Sequence, residues 1–196
     1  IDVAATTPTE TCLLPMLFDT ESPTGGDCHL GTPSSKYGGP GCGSGGYTGS
    51  YRNKVSRGKC IIVSEDNDSD DPDDNRNGGT LKFAFCQPVK LLYITIIDPR
   101  SGATITRFDA NLDDFPPIAV PSIKKNGVYT RFFSQFTWPP VVQKLEVDLP
   151  RGGCVSEIGY KIPRIYETCG WPEPEPVPPP HPQPDDDDDK CAWDCH

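Results

Sequence analysis

From residue 60 onward, apolar and polar positions alternate in short runs. Leu81, Phe83 and Phe85 are interleaved with Lys82 and Ala84, and Leu145, Val147 and Leu149 with Lys144, Glu146 and Asp148. A period of two puts one set on each face of an extended backbone, which is the pattern of a half-buried antiparallel strand. The reading predicts strands over 60–65, 80–85, 91–98, 103–109, 129–136, 141–149 and 158–162, each rich in β-branched or aromatic residues and separated by Pro, Gly or Asp turns. An earlier apolar run at 12–19 (CLLPMLFD) adds a strand that Pro15 confines to a sheet edge. The pattern holds no helical period. Seven or eight such strands predict an all-β fold, an antiparallel two-sheet jelly-roll-like sandwich.

Three regions follow. Residues 1–16 form an extended N-terminal arm, residues 17–165 the sandwich with its acidic loop, and residues 166–196 a proline-rich C-terminal tail. Within the sandwich, the passage 21–49 is dominated by Gly, Ser and Pro. A structureless stretch of that length is unusual in a compact domain, so it is expected to be pinned by Cys28 and Cys42 and to wrap over the sandwich. The tail opens with WPEPEPVPPPHPQP (171–184), whose 13 residues from Pro172 to Pro184 would reach about 40 Å as a polyproline helix at roughly 3.1 Å per residue. Five aspartates, Lys190 and the closing CAWDCH come after it.

Composition narrows the class. The 19 glycines and 23 prolines favour short strands and many turns over long helices. A net charge of −10 argues against nucleic acid and anionic membrane surfaces as partners, and no apolar run approaches the length of a membrane span. The nine cysteines (Cys12, Cys28, Cys42, Cys60, Cys86, Cys154, Cys169, Cys191 and Cys195) include no C-x2-C pair, which points to disulfides formed in an oxidising compartment. With a start at Ile1, the chain reads as a mature secreted or cell-surface product whose signal peptide has been removed. Nine is odd, so at least one cysteine is free or bonded to another chain; spacing alone leaves the pairing open.

The most committed stretch is 65–79, EDNDSDDPDDNRNGG, with seven carboxylates in the ten residues 65–74. Like charges so close are either splayed into water or neutralised by a cation. Two features favour a cage: the strand-like runs on either side fix the ends of the loop, and the alternation Asp66, Asp68, Asp70 lines hard oxygen donors along one side, as Ca2+ requires. It is not an EF-hand, because the sixth position from Asp66 is Asp71 where a glycine belongs and the twelfth is Asn77 where a glutamate belongs. Asn67 opens the sequon Asn67-Asp68-Ser69 inside this loop and is a candidate glycosylation site if it points outward.

The run GGPGCGSGG (38–46), the segment CIIVSEDNDSDDPDDNRNGGTLKFAFCQPVKLLYITIID (60–98), FSQF (133–136) and VVQKLEVDLPRGGCVSEIGY (141–160) resemble an uncharacterised family of extracellular β-sandwich domains in algae, other aquatic microbes and bacterial surface proteins. The likeness covers about residues 17–162. It implies a jelly-roll-like, calcium-bearing module, with Ca2+ held by Glu65, Asp66, Asp68, Asp71, Asp73 and Asp74, and no catalytic residues. The cysteines and the tail depart from it.

Catalytic chemistry has little purchase here. His29, His181 and His196 lie in a Gly/Pro loop, the tail and the C-terminus, none on a strand that would orient it, so no nucleophile–base pair is predicted and the chain reads as a non-enzyme. Tyr37, Tyr47, Tyr51, Trp138 and Trp171 could stack on sugars, though Trp138, following Phe132, Phe133 and Phe136, fits the core better. The tail carries the functional expectation: Trp171 and the Trp193 plug flanked by Cys191 and Cys195 would contact neighbouring copies, and one repeated head-to-tail contact that does not close makes a filament. The chain is thus expected to be a structural subunit of an extracellular homopolymer stabilised by Ca2+. The competing expectation is a Ca2+-dependent carbohydrate-binding module or adhesin with glycan partners.

Overall fold

The computed structural model describes residues 1–7, 13–133 and 141–163. Among these the chain is all-β: nine strands joined in one antiparallel sheet, with no α-helix and only short 3-10 turns between strands. The strands are β1 (Asp2–Thr6), β2 (Pro15–Asp19), β3 (Lys59–Val63), β4 (Gly79–Ile97), β5 (Thr104–Phe108), β6 (Ile118–Ala119), β7 (Val128–Phe132), β8 (Val141–Leu149) and β9 (Cys154–Lys161). Hydrogen bonding runs β2-β3-β9-β4-β8-β5-β6, with β1 and β7 also paired to β4. The front of the segment read as an arm is therefore a strand: Val3 and Ala5 lie opposite Phe83 and Leu81. β2 begins at Pro15 and pairs only with β3 among the described residues, so the missing proline N–H faces an open edge.

β4 joins two of the predicted strands into one of 19 residues. The sequence between them, Cys86-Gln87-Pro88, resembles a break. It stays extended because pairing with β8 is interrupted between Ala84 and Val89, where a residue without an N–H forfeits no ladder bond. A second irregularity, between Leu91 and Tyr93, shifts the inward parity from Leu81, Phe83, Phe85, Val89 and Leu91 to Ile94 and Ile96, so that all of them enter one core.

The registers also show that β4 is strongly bent. Fully extended, 19 residues reach about 60 Å. Yet Gly79 pairs with Leu149 and Ile97 with Cys154, and the five residue steps between those partners span at most about 18 Å. Both ends of β4 therefore come to the turn between β8 and β9, and residues just outside each end are brought together there.

Two apolar clusters hold this arrangement. The larger contains the inward residues of β4 with Ile105, Leu145, Val147 and Val155. The smaller, Phe18, Leu30, Cys60, Ile62, Ile97, Val128 and Cys154, includes the opposite parity of the same strands, Ile62 beside Ile61 and Val63, Cys154 beside Val155. The Gly/Ser/Pro passage covers it, contributing Leu30 and tied down by Thr32 N–H to Thr20 O (2.8 Å) and Ser34 N–H to Asn53 O (2.9 Å), and Tyr51 O just beyond it accepts from Val128 N–H (2.9 Å). Cys28 and Cys42, expected to pin the passage, do so by bonding to each other, a pairing their spacing left open, and Cys60–Cys154 links β3 to β9. Cys86 is an exposed free thiol; Cys12, Cys169, Cys191 and Cys195 lie outside the described residues.

Candidate metal-binding cleft

Where the ends of β4 meet, three aspartates surround one imidazole. Asp27 ends a turn (its N–H donates to Thr24 O, 2.9 Å) and leads into the 3-10 turn Cys28–Leu30. Leu30 is driven into the smaller core, Cys28 is held by its disulfide, and His29 between them turns toward the aspartates. Asp74 comes from the acidic loop, beside Asn75, whose N–H is bonded to Val63 O (2.9 Å). Asp98 follows β4 directly in a left-handed conformation, φ 55°, which an aspartate tolerates better than a branched residue.

The three acids share one plan. Each uses one oxygen for a backbone amide and turns the other to the ring. Asp27 Oδ2 accepts from Asp74 N–H (2.7 Å) while its Oδ1 lies 3.6 Å from His29 Nδ1. Asp74 Oδ2 accepts from Gly153 N–H (2.7 Å) while its Oδ1 lies 3.3 Å from His29 Nε2. Asp98 Oδ1 accepts from Asn126 N–H (2.7 Å) while its Oδ2 lies 3.6 Å from His29 Nε2 and takes Arg100 Nη2 at 2.6 Å. Asn126, itself fully buried, donates from Nδ2 to the carbonyls of His29 and Gly31 at 2.9 and 2.8 Å and so locks the His29 turn onto the sheet.

Burial makes this assembly electrostatically demanding. Asp27, His29, Asp74 and Asp98 are 4%, 8%, 2% and 0% exposed. Desolvation, followed by repulsion from Asp74, pushes the Asp27 carboxyl up to about 6. Burial also works to raise Asp74, but its contact with His29 and the Gly153 amide hold it below the ordinary carboxylate value. Asp98 is raised by burial against the pull of His29 and Arg100. Even so, His29 Nδ1 and Asp74 Oδ1 have no hydrogen-bond partner.

Asp27, His29 and Asp74 each present one donor atom, all within 4.8 Å of one another. Metal–ligand bonds of about 2.0–2.6 Å span such a spacing. The residues fit a divalent cation: two carboxylates and an imidazole are acceptable donors, and Asp74 Oδ1, which makes no hydrogen bond, would gain a ligand bond. The cluster forms the floor of an open cleft of about 710 Å³ whose walls carry Arg76, Arg100, Lys125 and Arg151.

Of the six loop residues expected to bind Ca2+, Asp74 joins this cluster. Glu65, Asp66, Asp68 and Asp71 are exposed; Asp66 Oδ1 accepts from Asp68 N–H and Asp68 Oδ1 from Asp70 N–H (both 2.9 Å), and Asp71 Oδ1 from Gly25 N–H (2.8 Å). Asp73 is partly buried, raised by desolvation and then by Asp66, Glu65 and Asp71. Asn67 is exposed, and its Oδ1 accepts from Leu14 N–H (2.8 Å). Tyr37 donates to Tyr47 O and Tyr51 packs on Tyr129, outside the cleft lining. Trp138, Trp171 and Trp193 lie outside the described residues.

Sequence reasoning missed Asp27, His29 and Asp98. The triplet Asp27-Cys28-His29 was the available signal, since a disulfide gives a Gly/Pro loop the rigidity to orient a histidine. Comparison with protein-family models, curated proteins and solved structures gives no match for this chain.

Proposed function

We propose that this chain is a secreted, disulfide-stapled recognition module that works by binding and without turnover, its ligand held at a divalent cation in the Asp27–His29–Asp74 cleft. One observation carries the reading: three buried donors converge at the floor of an open cleft, and two of their polar atoms make no hydrogen bond. The sheet closes on itself as two layers, the bend of β4 being the hinge between them, in a jelly-roll-like sandwich. Ca2+ is the cation the acidic loop suggests, and Glu65, Asp66, Asp68, Asp71 and Asp73 raise its local concentration by their charge. The imidazole adds Zn2+ as a competitor, because nitrogen donors suit it better, and the carboxylates add Mn2+. Two disulfides favour an extracellular setting, and no helix among the described residues is long and apolar enough to cross a membrane. The test is the melting temperature of the chelator-treated chain with Ca2+, Mn2+ or Zn2+ added singly. A rise with at least one supports the reading, and no change with any of them sinks it.

A second reading, subunit of an extracellular homopolymer, draws on the β2 edge, where Leu14 and Leu17 are 59% and 62% exposed. An open edge with apolar side chains is a template for pairing with another copy. The tail contacts expected of Trp171 and Trp193 belong to the same reading. Light scattering of L14K/L17K against the parent chain tests it: assembly that survives both substitutions removes the edge from the contact.

A further inference from the structure

The cleft above the cation cluster is walled by charge. Arg76, Lys125 and Arg151 line it and form no ion pair among the described residues, in a chain whose net charge is −10. Arg100 is committed to Asp98. Cations left unpaired in an acidic protein and gathered at one concavity are a place for an anion, and the two exposed arginines can each offer a planar fork to an oxyanion. The lining includes no Phe, Tyr or Trp, so a neutral sugar would find no broad stacking surface. The floor itself is ready for a ligand: Asp74 Oδ1, 3.3 Å from His29 Nε2, and His29 Nδ1, 3.6 Å from Asp27 Oδ1, make no hydrogen bond, on residues more than nine-tenths buried.

We infer that the cleft takes an oxyanion ligand, a carboxylate, sulfate or phosphate group, with one oxygen completing the coordination of the bound cation and the others paired with Arg76 and Arg151. The inference rests on the cation reading above and gives its ligand class. Its logic is charge alternation. The floor acids attract a dication, the dication leaves coordination positions facing the cleft, and an anion entering there meets guanidinium groups on the walls. The volume, about 710 Å³, lies in the range of small-molecule sites and suits an acidic oligosaccharide of a few rings as well as a small free anion.

The full chain, stripped with chelator and reloaded with the cation that raises its melting temperature, is titrated calorimetrically with inorganic phosphate, sulfate, citrate, an oligogalacturonate and neutral maltotriose. The expected result is binding of at least one oxyanion probe and none of maltotriose, with affinity lost about tenfold to a hundredfold in R76A/R151A. Cation affinity in that variant should stay within a few-fold of the parent, because both arginines are exposed wall residues. Binding of the oligogalacturonate alone assigns the site to acidic glycans; binding of phosphate, sulfate or citrate assigns it to small free anions. Cation binding without any oxyanion binding overturns the inference and leaves the proposed function standing. Oxyanion binding that is equal in EDTA, or equal in R76A/R151A, also overturns it. Failure of every cation to bind overturns the proposed function first and this inference with it.

Discussion

Asp74→Asn is the substitution that separates structural from cation-binding roles, because it keeps the shape of the side chain and removes its charge. In the parent, Asp74 Oδ2 accepts the Gly153 amide at 2.7 Å. A hydrogen bond to a charged acceptor contributes about 1.5–3 kcal/mol and a neutral one about half that, so the cation-free variant should lose about 1 kcal/mol. Relief of the repulsion between Asp27 and Asp74 offsets part of the loss. In a domain of this size 1 kcal/mol lowers Tm by about 2–4 °C. The loss of cation binding should be larger. Removing one of two anionic ligands is expected to raise Kd about a hundredfold. At a cation concentration near 100 times the parent Kd, linkage stabilises the parent by about 2.7 kcal/mol, whereas the variant, then near its own Kd, gains only about 0.4 kcal/mol. Paired melts in EDTA and in cation should therefore show a parent rise of about 5–10 °C and a variant rise of about 1 °C. An Asp74→Asn protein that keeps the full cation-dependent rise would refute the assignment of Asp74 as a ligand.

Three further outcomes are expected. Because burial and Asp74 raise Asp27 from 3.8 to about 6, the stability this group supplies to the cation-free fold is complete below its unfolded value and is lost as pH rises through about 6; urea unfolding in EDTA from pH 4 to 7 should show a decline of roughly 2–3 kcal/mol that Asp27→Asn flattens. Gly152 has φ +80° and a Cβ there would collide with Asp74 Oδ2, so Gly152→Ala should cost about 1–2 kcal/mol in backbone strain and also abolish the cation-dependent melting shift. Cys60–Cys154 spans 94 residues and Cys28–Cys42 only 14, so chain entropy predicts a loss near 4–5 kcal/mol for a C60S/C154S pair against about 3 kcal/mol for C28S/C42S, read by denaturant titration.

The strands were legible because alternation is local. Leu145, Val147 and Leu149 declare their face without reference to anything distant, and β8 runs over 141–149 as its pattern predicts. The continuity of β4 was not legible, because Pro88 marks a break unless the neighbouring strand is known to stop pairing there. For the site, the acidic loop pointed to Asp74 among its seven carboxylates but gave no reason to prefer it. What distinguishes Asp74 is the Gly153 amide, 79 positions away. His29 lies in a Gly/Pro loop, which by local pattern gives it no fixed orientation, yet that loop is held by Cys42 and by Asn126, whose side chain reaches back 97 positions to the His29 carbonyl. Such long-range pairings leave no trace in local pattern.

The bend in β4 gives the cluster its place. A strand with one end beside Leu149 and the other beside Cys154 brings Asp74, ahead of its start, and Asp98, just past its end, to the same short turn. Two buried carboxylates so placed repel each other, and Asp27 adds a third. The chain answers part of that charge with Arg100, which pairs with Asp98, and with backbone amides on one oxygen of each acid. What remains falls on Asp27, whose carboxyl is pushed up to about 6 by burial and by repulsion from Asp74. A proton is the weakest of the available solutions, since it neutralises one acid and leaves Asp74 Oδ1 and His29 Nδ1 without hydrogen bonds. A divalent ion in the same place answers both acids and the ring together, and should displace that proton on binding. Cation affinity should therefore fall as pH drops below about 6, in step with proton uptake at Asp27. Calorimetric titrations in two buffers of different ionisation enthalpy at pH 5.5 would measure the release, and a proton count of zero would place the cation away from Asp27.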